Sequence, residues 1–263
     1  MHKVRPLKNA KIEHVPINEN DQYNFSSSYS LSVYSIEAVY SFIPKNACST
    51  LRYSIAVANG FINEIADVEW IHANNETFIA TQKDIAQAKY TFVVLRCPFR
   101  RVASAFLDQI LEGESTFKGL NEQKLSINFH EFLLIIQSQS RNERDQHWKN
   151  QTDFLHYEKY DDYFSLELFS EAISSLEHRG LKVHDTRKII KHDISSLKSI
   201  DGDFSKTKEI ELKKIKDDGY APSYESLYGN SEIELVKDIY KDDIELYIEH
   251  FGEENLLFSS NNI

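Results

Sequence analysis

Two short apolar segments stand out along the chain, and polar and basic residues follow each of them directly. Ala38–Ile43 and Tyr90–Leu95 are β-branched, aromatic and apolar almost throughout, which is typical of strands buried on both faces of a sheet. Leu51–Asn59 and Pro98–Leu111 are compatible with helices, and Gly60 stands where a helix C-terminal cap is expected. The pattern therefore predicts two strand–loop–helix units, typical of an α/β protein with a parallel sheet flanked by helices.

The beginning and the middle of the chain have weaker patterns. Residues 1 to about 30 are polar, and we interpret them as an irregular or edge segment. The stretch from Lys182 to Gly219 is rich in charge and fits no single element. Within it, Lys206–Lys216 is compatible with either an exposed helix or a mobile flap.

Two capping patterns predict further helices. Asn128 with Glu131 three residues later precedes an apolar run, which indicates a capped and largely buried helix. Ser231 with Glu234 has the same spacing and predicts an amphipathic helix that continues to about Tyr240.

Length and charge limit the classes of function. A chain of 263 residues can bury a full core, so we expect residues 1–263 to form one domain. The formal net charge is −11, from 30 basic and 41 acidic residues. This balance argues against nucleic acid as a partner and against binding to anionic membrane surfaces. The N-terminus has no apolar leader and no run is long enough to span a bilayer, so we expect a cytoplasmic protein.

The first strand runs into the segment PKNACSTLR, which predicts an anion-binding loop. Its surroundings, Ser41–Gly60, contain Lys45 and Arg52 but no acidic residue. A strand–loop–helix joint points backbone N–H groups and the positive end of a helix dipole at one place, which suits a phosphate group. The candidate binding residues are Pro44, Lys45, Asn46, Ala47, Cys48, Ser49 and Thr50. The loop is not a Walker A motif, because it has no glycine and no Lys-Ser/Thr pair.

The second strand runs into RCPFRRVASAF, which adds a second basic segment. Arg96, Pro98, Arg101 and Ser104 form the pattern R-x-P-x-x-R-x-x-S, about 50 residues after Lys45. Together the two motifs resemble the 5′-phosphosulfate loop and the 3′-phosphate-binding segment of carbohydrate sulfotransferases, the group that includes the chondroitin-type enzymes.

The resemblance implies a sulfotransferase that uses 3′-phosphoadenosine 5′-phosphosulfate (PAPS) and acts on a hydroxyl group, with a glycan as the expected acceptor. It assigns the 5′ end of the donor to Lys45 and its loop. It assigns the 3′-phosphate to Arg96 and Ser104, with Arg101 in support. No metal is needed for this chemistry, and the histidines show no metal-ligand spacing. One nucleotide can be reached from both motifs only if the two predicted strands are adjacent or nearly so.

Three residues are candidates for the general base. His72 lies where related enzymes place a histidine or glutamate base. His147 belongs to an HW pair before a strand predicted near Tyr160, a segment that also resembles the chondroitin-type enzymes, and Glu69 is the third candidate. Histidine suits the role because its ordinary pKa is about 6.5. Position favours His72 as the base and His147 as a residue that positions the acceptor.

Two other classes of function stay open at this point. A nucleotide-dependent phosphotransferase would need a Mg²⁺-binding aspartate and a Lys-Ser/Thr pair in the loop. A protein that binds PAPS or its product without turnover would keep the same motifs. The sequence does not indicate the oligomeric state.

Overall fold

The computed structural model describes residues 4–11, 14–63, 69–111, 126–186 and 197–259. The chain forms two compact units that alternate along the sequence. The first consists of Met1–Arg96 and Asn150–Ile190, and the second of Cys97–Lys149 and Lys191–Ile263.

Strands and helices are numbered in chain order. The strands are β1 (Ser30–Val33), β2 (Ala38–Ser41), β3 (Tyr90–Leu95), β4 (Asp162–Ser165), β5 (Lys198–Ile200) and β6 (Tyr220–Pro222). The helices are α1 (Asp21–Ser28), α2 (Cys48–Ala58), α3 (Trp70–Ala73), α4 (Gln82–Gln87), α5 (Pro98–Leu111), α6 (Phe129–Ser138), α7 (Phe169–His178), α8 (Glu209–Asp217), α9 (Asn230–Ile239) and α10 (Lys241–Phe251).

The first unit is built on a four-stranded sheet in the order β1-β2-β3-β4. Strand β1 pairs antiparallel with β2, whereas β2, β3 and β4 run parallel. Tyr40 lies opposite Phe92, and the two rings stack at a centroid distance of 4.8 Å. This confirms the predicted α/β fold and the adjacency of the two apolar strands. The carboxyl ends of β2 and β3 therefore lie side by side.

A single apolar core joins this sheet to its helices. The buried side chains of β2 and β3 pack with Leu51 and Ile55 of α2 and with Leu176 of α7. Helix α2 ends at a Schellman cap, because Gly60 has a φ of 81° and Phe61 N–H donates to the Ala56 carbonyl at 3.0 Å. The predicted glycine cap is therefore present, and it fixes where the chain leaves α2.

The polar N-terminal region is more regular than its composition suggests. The prediction of an irregular segment is wrong for residues 21–28, which form α1. Asn20 caps this helix by accepting from the Tyr23 N–H at 2.9 Å, and Tyr23 and Ser26 are buried. Asn20 is a favoured N-cap residue, so the sequence did contain a signal for the start of this helix. The helix buries only a narrow stripe, so its sequence has no strong apolar periodicity.

The second unit is mainly helical. The capping box at Asn128 and Glu131 is confirmed, with the Glu131 N–H donating to Asn128 Oδ1 at 2.9 Å. The segment Lys206–Lys216 is largely helical rather than a flap, since α8 covers most of it and buries Leu212. Strands β5 and β6 add a short parallel pair.

The second predicted cap is shifted by two residues. Helix α9 begins after Gly229, and the Gly229 N–H donates to Glu232 Oε2 at 2.9 Å. The prediction of a box at Ser231 and Glu234 is therefore wrong, because the carboxylate that returns to the cap belongs to Glu232.

Glu232 is also a buried carboxylate at the centre of an ionic cluster. Its side chain is 1% exposed and accepts from Lys206 Nζ at 2.8 Å, Ser231 Oγ at 2.8 Å, His130 Nδ1 at 2.6 Å and the Gly229 N–H. Burial alone raises the pKa of this carboxyl, but the hydrogen bonds outweigh it and lower the pKa from 4.5 to about 2.

We expect Glu232→Gln to lower the free energy of unfolding at pH 7 by about 2–3 kcal/mol, the size of a lost charge-assisted hydrogen bond. A depressed pKa stabilises the folded state above the unfolded-state pKa, and this contribution is lost as pH falls. The difference between wild type and variant should therefore shrink between about pH 4.5 and pH 2. Thermal unfolding followed across this range measures it, and a difference that is constant with pH would contradict the assignment.

Candidate active site

The loop after β2 has a strained backbone at two positions. Lys45 and Ala47 have positive φ values of 72° and 57°, a region that side chains with a Cβ adopt at a cost of roughly 1–2 kcal/mol each. Asn46 lies between them and is fully buried. Such conformations persist only where surrounding contacts hold them, and they concentrate at functional sites.

The loop presents open backbone donors at the start of α2. Ala47 is the N-cap and makes no side-chain capping bond. Among the described residues, the N–H groups of Ala47, Cys48, Ser49 and Thr50 have no hydrogen-bond acceptor, and the first helical bond is donated by the Leu51 N–H to the Ala47 carbonyl at 3.1 Å. Four open donors at the positive end of an eleven-residue helix form a site that suits an anion.

The side chains of the loop differ in their surroundings. Lys45, Cys48 and Ser49 are half-buried, and both Cys48 and Cys97 are free thiols. Thr50 is 7% exposed, and its Oγ1 lies 2.9 Å from Thr186 Oγ1. Either hydroxyl can be the donor in that pair, so the Thr50 hydroxyl is held in place by Thr186.

Arg96 lies at the end of β3 and contacts the loop directly. Its Nη1 donates to the Lys45 carbonyl at 2.9 Å. The first unit thus brings together Lys45, Arg96 and the loop donors, which the sequence motifs placed about 50 residues apart. Gln151 Oε1 accepts hydrogen bonds from the Arg96 N–H and from Asn46 Nδ2. The sequence had indicated no role for Gln151.

Arg52 connects α2 to the segment that contains His72. Its Nη2 donates to the Ile71 carbonyl at 2.5 Å and to Asn75 Oδ1. The guanidinium lies over the Phe42 ring at 5.3 Å, and burial lowers its pKa. His72 itself lies in α3 rather than in a loop and is exposed.

The imidazole of His72 has no hydrogen-bond or ionic partner among the residues that the structure describes. Glu69 precedes α3 as its N-cap residue and is exposed as well. No neighbour within the described ranges orients either side chain, so the structure adds no support to the role that position in the sequence suggested.

In the second unit, Arg101 is buried and binds backbone. It is 2% exposed, and it donates from Nη1 to the Lys149 carbonyl at 2.6 Å and from Nη2 to the Gln146 carbonyl at 3.2 Å. Ser104, one turn further along α5, is 8% exposed. Arg101 therefore binds the backbone on both sides of His147 and holds this segment against α5.

His147 forms a dyad with Asp145. Its Nδ1 lies 2.6 Å from Asp145 Oδ1, and its backbone N–H donates to the same oxygen at 2.9 Å. Burial raises the pKa of Asp145, but the hydrogen bonds from His147 and the charge of Arg101 outweigh it, so the pKa is lowered. An ionised carboxylate can only accept, so Nδ1 carries the proton and Nε2 is the basic nitrogen.

The next residue holds this dyad on a rigid support. Trp148 is 2% exposed and packs edge-to-face on Phe132 at 5.4 Å. Its carbonyl accepts from Tyr240 Oη at 2.6 Å. The backbone beside His147 is therefore fixed by α6 and by the residue that joins α9 to α10. The sequence places Asp145 two residues before His147, but the contact between the two side chains is visible only in the structure.

Two further properties bear on the chemistry. The described side chains include no cluster of three or more His, Cys, Asp and Glu residues placed to hold a metal ion. Among the helices within the described ranges, none combines the length and the apolar composition that a bilayer crossing requires.

Comparison with known proteins identifies the family. The model of the sulfotransferase family matches residues 35–248, which covers both strand–loop–helix units and the Asp145–His147 dyad. No curated protein and no solved structure gives a significant match. The family match agrees with the resemblance inferred from the two motifs, and it covers most of the chain. The protein belongs to the sulfotransferase family.

Proposed function

We propose that the protein transfers a sulfuryl group from PAPS to a hydroxyl group of an acceptor, with a glycan or glycoconjugate as the acceptor class. One observation carries the proposal within this family. The open N–H groups at the start of α2 adjoin Lys45, whose carbonyl is bound by Arg96 from the neighbouring parallel strand. Donors converging at the carboxyl edge of a parallel sheet suit the phosphate groups of a nucleotide.

Lys45 is proposed to assist the transfer itself. In sulfuryl transfer the leaving 5′-phosphate gains negative charge, and the transferred group must stay in line with the acceptor oxygen, as in phosphoryl transfer. An ammonium group from Lys45 can bridge the leaving oxygen and a sulfuryl oxygen, while the loop N–H groups hold the phosphate. The loop residues 44–50 are the proposed ligands of the donor's 5′ end.

Arg96 and Ser104 are the proposed ligands of the 3′-phosphate. Arg101 has a supporting role in this proposal, because its guanidinium donates to the carbonyls of Gln146 and Lys149. A buried arginine that binds backbone carbonyls positions a segment, and here the segment contains His147.

We propose His147 as the general base in preference to His72. The hydrogen bond to Asp145 orients the imidazole and leaves Nε2 to accept a proton. His72 is exposed and unsupported among the described residues. The base removes the proton from the acceptor hydroxyl as its oxygen attacks sulfur.

A screen of acceptors with sulfur-labelled PAPS tests the proposed function. Label transferred to a glycan supports it, and label transferred only to a phenol or an amine would contradict the acceptor class. Calorimetric titration with 3′,5′-adenosine bisphosphate, compared with ATP and Mg²⁺, addresses the alternatives. Preference for ATP would indicate a phosphotransferase, and tight binding of the bisphosphate without turnover on any acceptor would indicate a binding protein.

We expect Arg96→Ala to weaken donor affinity about 10- to 150-fold, since a lost charge-assisted hydrogen bond costs roughly 1.5–3 kcal/mol. The substitution also removes the hydrogen bond from Arg96 Nη1 to the Lys45 carbonyl, so kcat at saturating donor should fall too. That loss should be smaller than the loss of affinity, because the 3′-phosphate is remote from the reacting sulfur. Arg100→Ala is the control, since Arg100 occupies a variable position of the motif and, in the described ranges, forms an ion pair with Glu225 at 3.7 Å. Unchanged donor affinity in Arg96→Ala would remove Arg96 from the donor site.

A further inference from the structure

Gln151 binds the backbone of Arg96 at two points. Its Oε1 accepts from the Arg96 N–H at 3.0 Å, and its Nε2 donates to the Arg96 carbonyl at 2.9 Å. The side chain is buried, with 1% of the residue exposed. This two-point contact continues the hydrogen bonding of β3 just beyond its last residue, and so it fixes the position where Arg96 leaves the sheet.

The same side chain also holds the loop. Asn46 Nδ2 donates to Gln151 Oε1 at 2.6 Å and to the Val94 carbonyl at 2.9 Å. Arg96 Nη1 in turn donates to the Lys45 carbonyl at 2.9 Å. Lys45, Asn46, Arg96 and Gln151 therefore form a closed circuit, which we call the loop clasp.

The orientation of both amides in the loop clasp is determined by the backbone. The Val94 carbonyl can only accept, so it must face Asn46 Nδ2, and the Arg96 N–H can only donate, so it must face Gln151 Oε1. Asn46 Oδ1 consequently faces a third direction, where no donor among the described residues reaches it. Leaving a buried acceptor without a partner destabilises the conformation that buries it.

The loop clasp thus maintains a geometry that the loop itself disfavours. Lys45 and Ala47 have left-handed backbone conformations. Asn46 between them is fully buried, and its Oδ1 meets no donor in the described part of the chain. The bonds that reach the loop from Val94, Arg96 and Gln151 help to hold it in this conformation. If those bonds were removed, Lys45 and the open N–H groups would be free to move away from their present positions.

We propose that Gln151 is a positioning residue for sulfuryl transfer, acting through Asn46 and Arg96 to hold Lys45 in its reactive placement. This inference rests on the proposed function. Gln151 does not contact the substrate in this role. Its contribution is to keep the loop ordered before the donor binds, so that the donor does not have to order it.

A double-mutant cycle with Lys45 tests the proposal. Gln151→Met keeps the volume of the side chain and removes the amide that bonds to Arg96 and Asn46. We expect it to lower kcat at saturating PAPS by about 10- to 100-fold, because small misplacements of a catalytic group have effects of this size. In a Lys45→Ala background the same substitution should lower kcat less than threefold. Equal losses in both backgrounds would show a merely structural role and overturn the proposal.

A second variant covers the case in which Gln151→Met does not fold. Asn46→Ala breaks the link to the loop and leaves the bonds between Gln151 and Arg96 in place. It should show a similar loss of kcat and the same dependence on Lys45, and additive losses would again overturn the proposal. Thr152→Val is the matched control in the same buried turn, and it should retain wild-type kcat.

Amide hydrogen exchange separates this inference from the proposed function. The Asn46 N–H donates to the Ile43 carbonyl at 3.1 Å, and its exchange in the unliganded protein reports loop order without any chemistry. We expect Gln151→Met to accelerate it at least about tenfold. Unchanged exchange in an active enzyme overturns the loop clasp. A wild-type protein that transfers no sulfuryl group, with exchange accelerated in the variant, overturns the proposed function and keeps the clasp as a structural feature.

Discussion

Replacing Lys45 by alanine is expected to lower kcat by about 10²–10³, the effect of removing one charge-stabilising group from a transition state. Donor affinity should change much less, because the N–H groups at the start of α2 and Arg96 remain. The comparison is clean for the backbone: alanine has the same difficulty as lysine at a φ of 72°. Steady-state kinetics at saturating donor and acceptor, together with titration of 3′,5′-adenosine bisphosphate, measure the two effects separately.

Two further variants serve as controls for the Lys45→Ala experiment. Lys89→Ala removes an exposed lysine that pairs with Glu37 and should leave kcat unchanged. Lys45→Arg keeps the positive charge but replaces a compact ammonium with a planar fork, so it should recover only part of the activity. A Lys45→Ala enzyme that loses donor affinity while keeping its kcat would assign Lys45 to binding alone.

Replacing His147 by alanine is expected to lower kcat by at least about 10², the lower end of what a general base contributes. Donor affinity should be retained. The wild-type rate should fall on acidification, because a protonated imidazole cannot accept a proton, and this limb of the pH–rate profile should disappear in the variant. Profiles of kcat against pH, measured with saturating acceptor, give both results.

The competing histidine provides the decisive comparison. His72→Ala should keep near-normal kcat and the acidic limb of the profile. Asp145→Asn should behave like His147→Ala, since an amide at this position would stabilise the wrong tautomer of the imidazole. If His72→Ala is inactive at saturating acceptor and His147→Ala is active, the base is His72. If both histidine variants stay active, a carboxylate such as Glu69 becomes the candidate.

Local sequence was sufficient for the elements that carry the donor motifs. Ala38–Ile43 and Tyr90–Leu95 are rich in β-branched and aromatic residues on both faces, a composition typical of a strand covered on both sides. The residues after them must then leave the sheet at its carboxyl edge. The caps at Gly60 and at Asn128 follow from the backbone preferences of single residues and their immediate neighbours. For these reasons the fold class and the placement of the loop could be predicted without coordinates.

Features that depend on distant residues could not be predicted in this way. Helix α1 has few apolar residues, and the burial of its Tyr23 and Ser26 determines its place in the first unit. Residues 1–263 were expected to form one domain. The chain forms two compact units, and that they act as a single domain stays a prediction.

The same distinction between local and long-range information applies to the candidate site. Its residue types could be read from the two motifs, because lysine, arginine and hydroxyl side chains next to strand ends already indicate an anion site. The contacts that hold these residues join Gln151 to positions 55 and 105 residues earlier, and Arg101 to positions 45 and 48 residues later. No local pattern encodes such pairs, since each depends on how the chain folds between them. The sequence alone thus determined which groups are present, and the tertiary structure decided which of them are held in place.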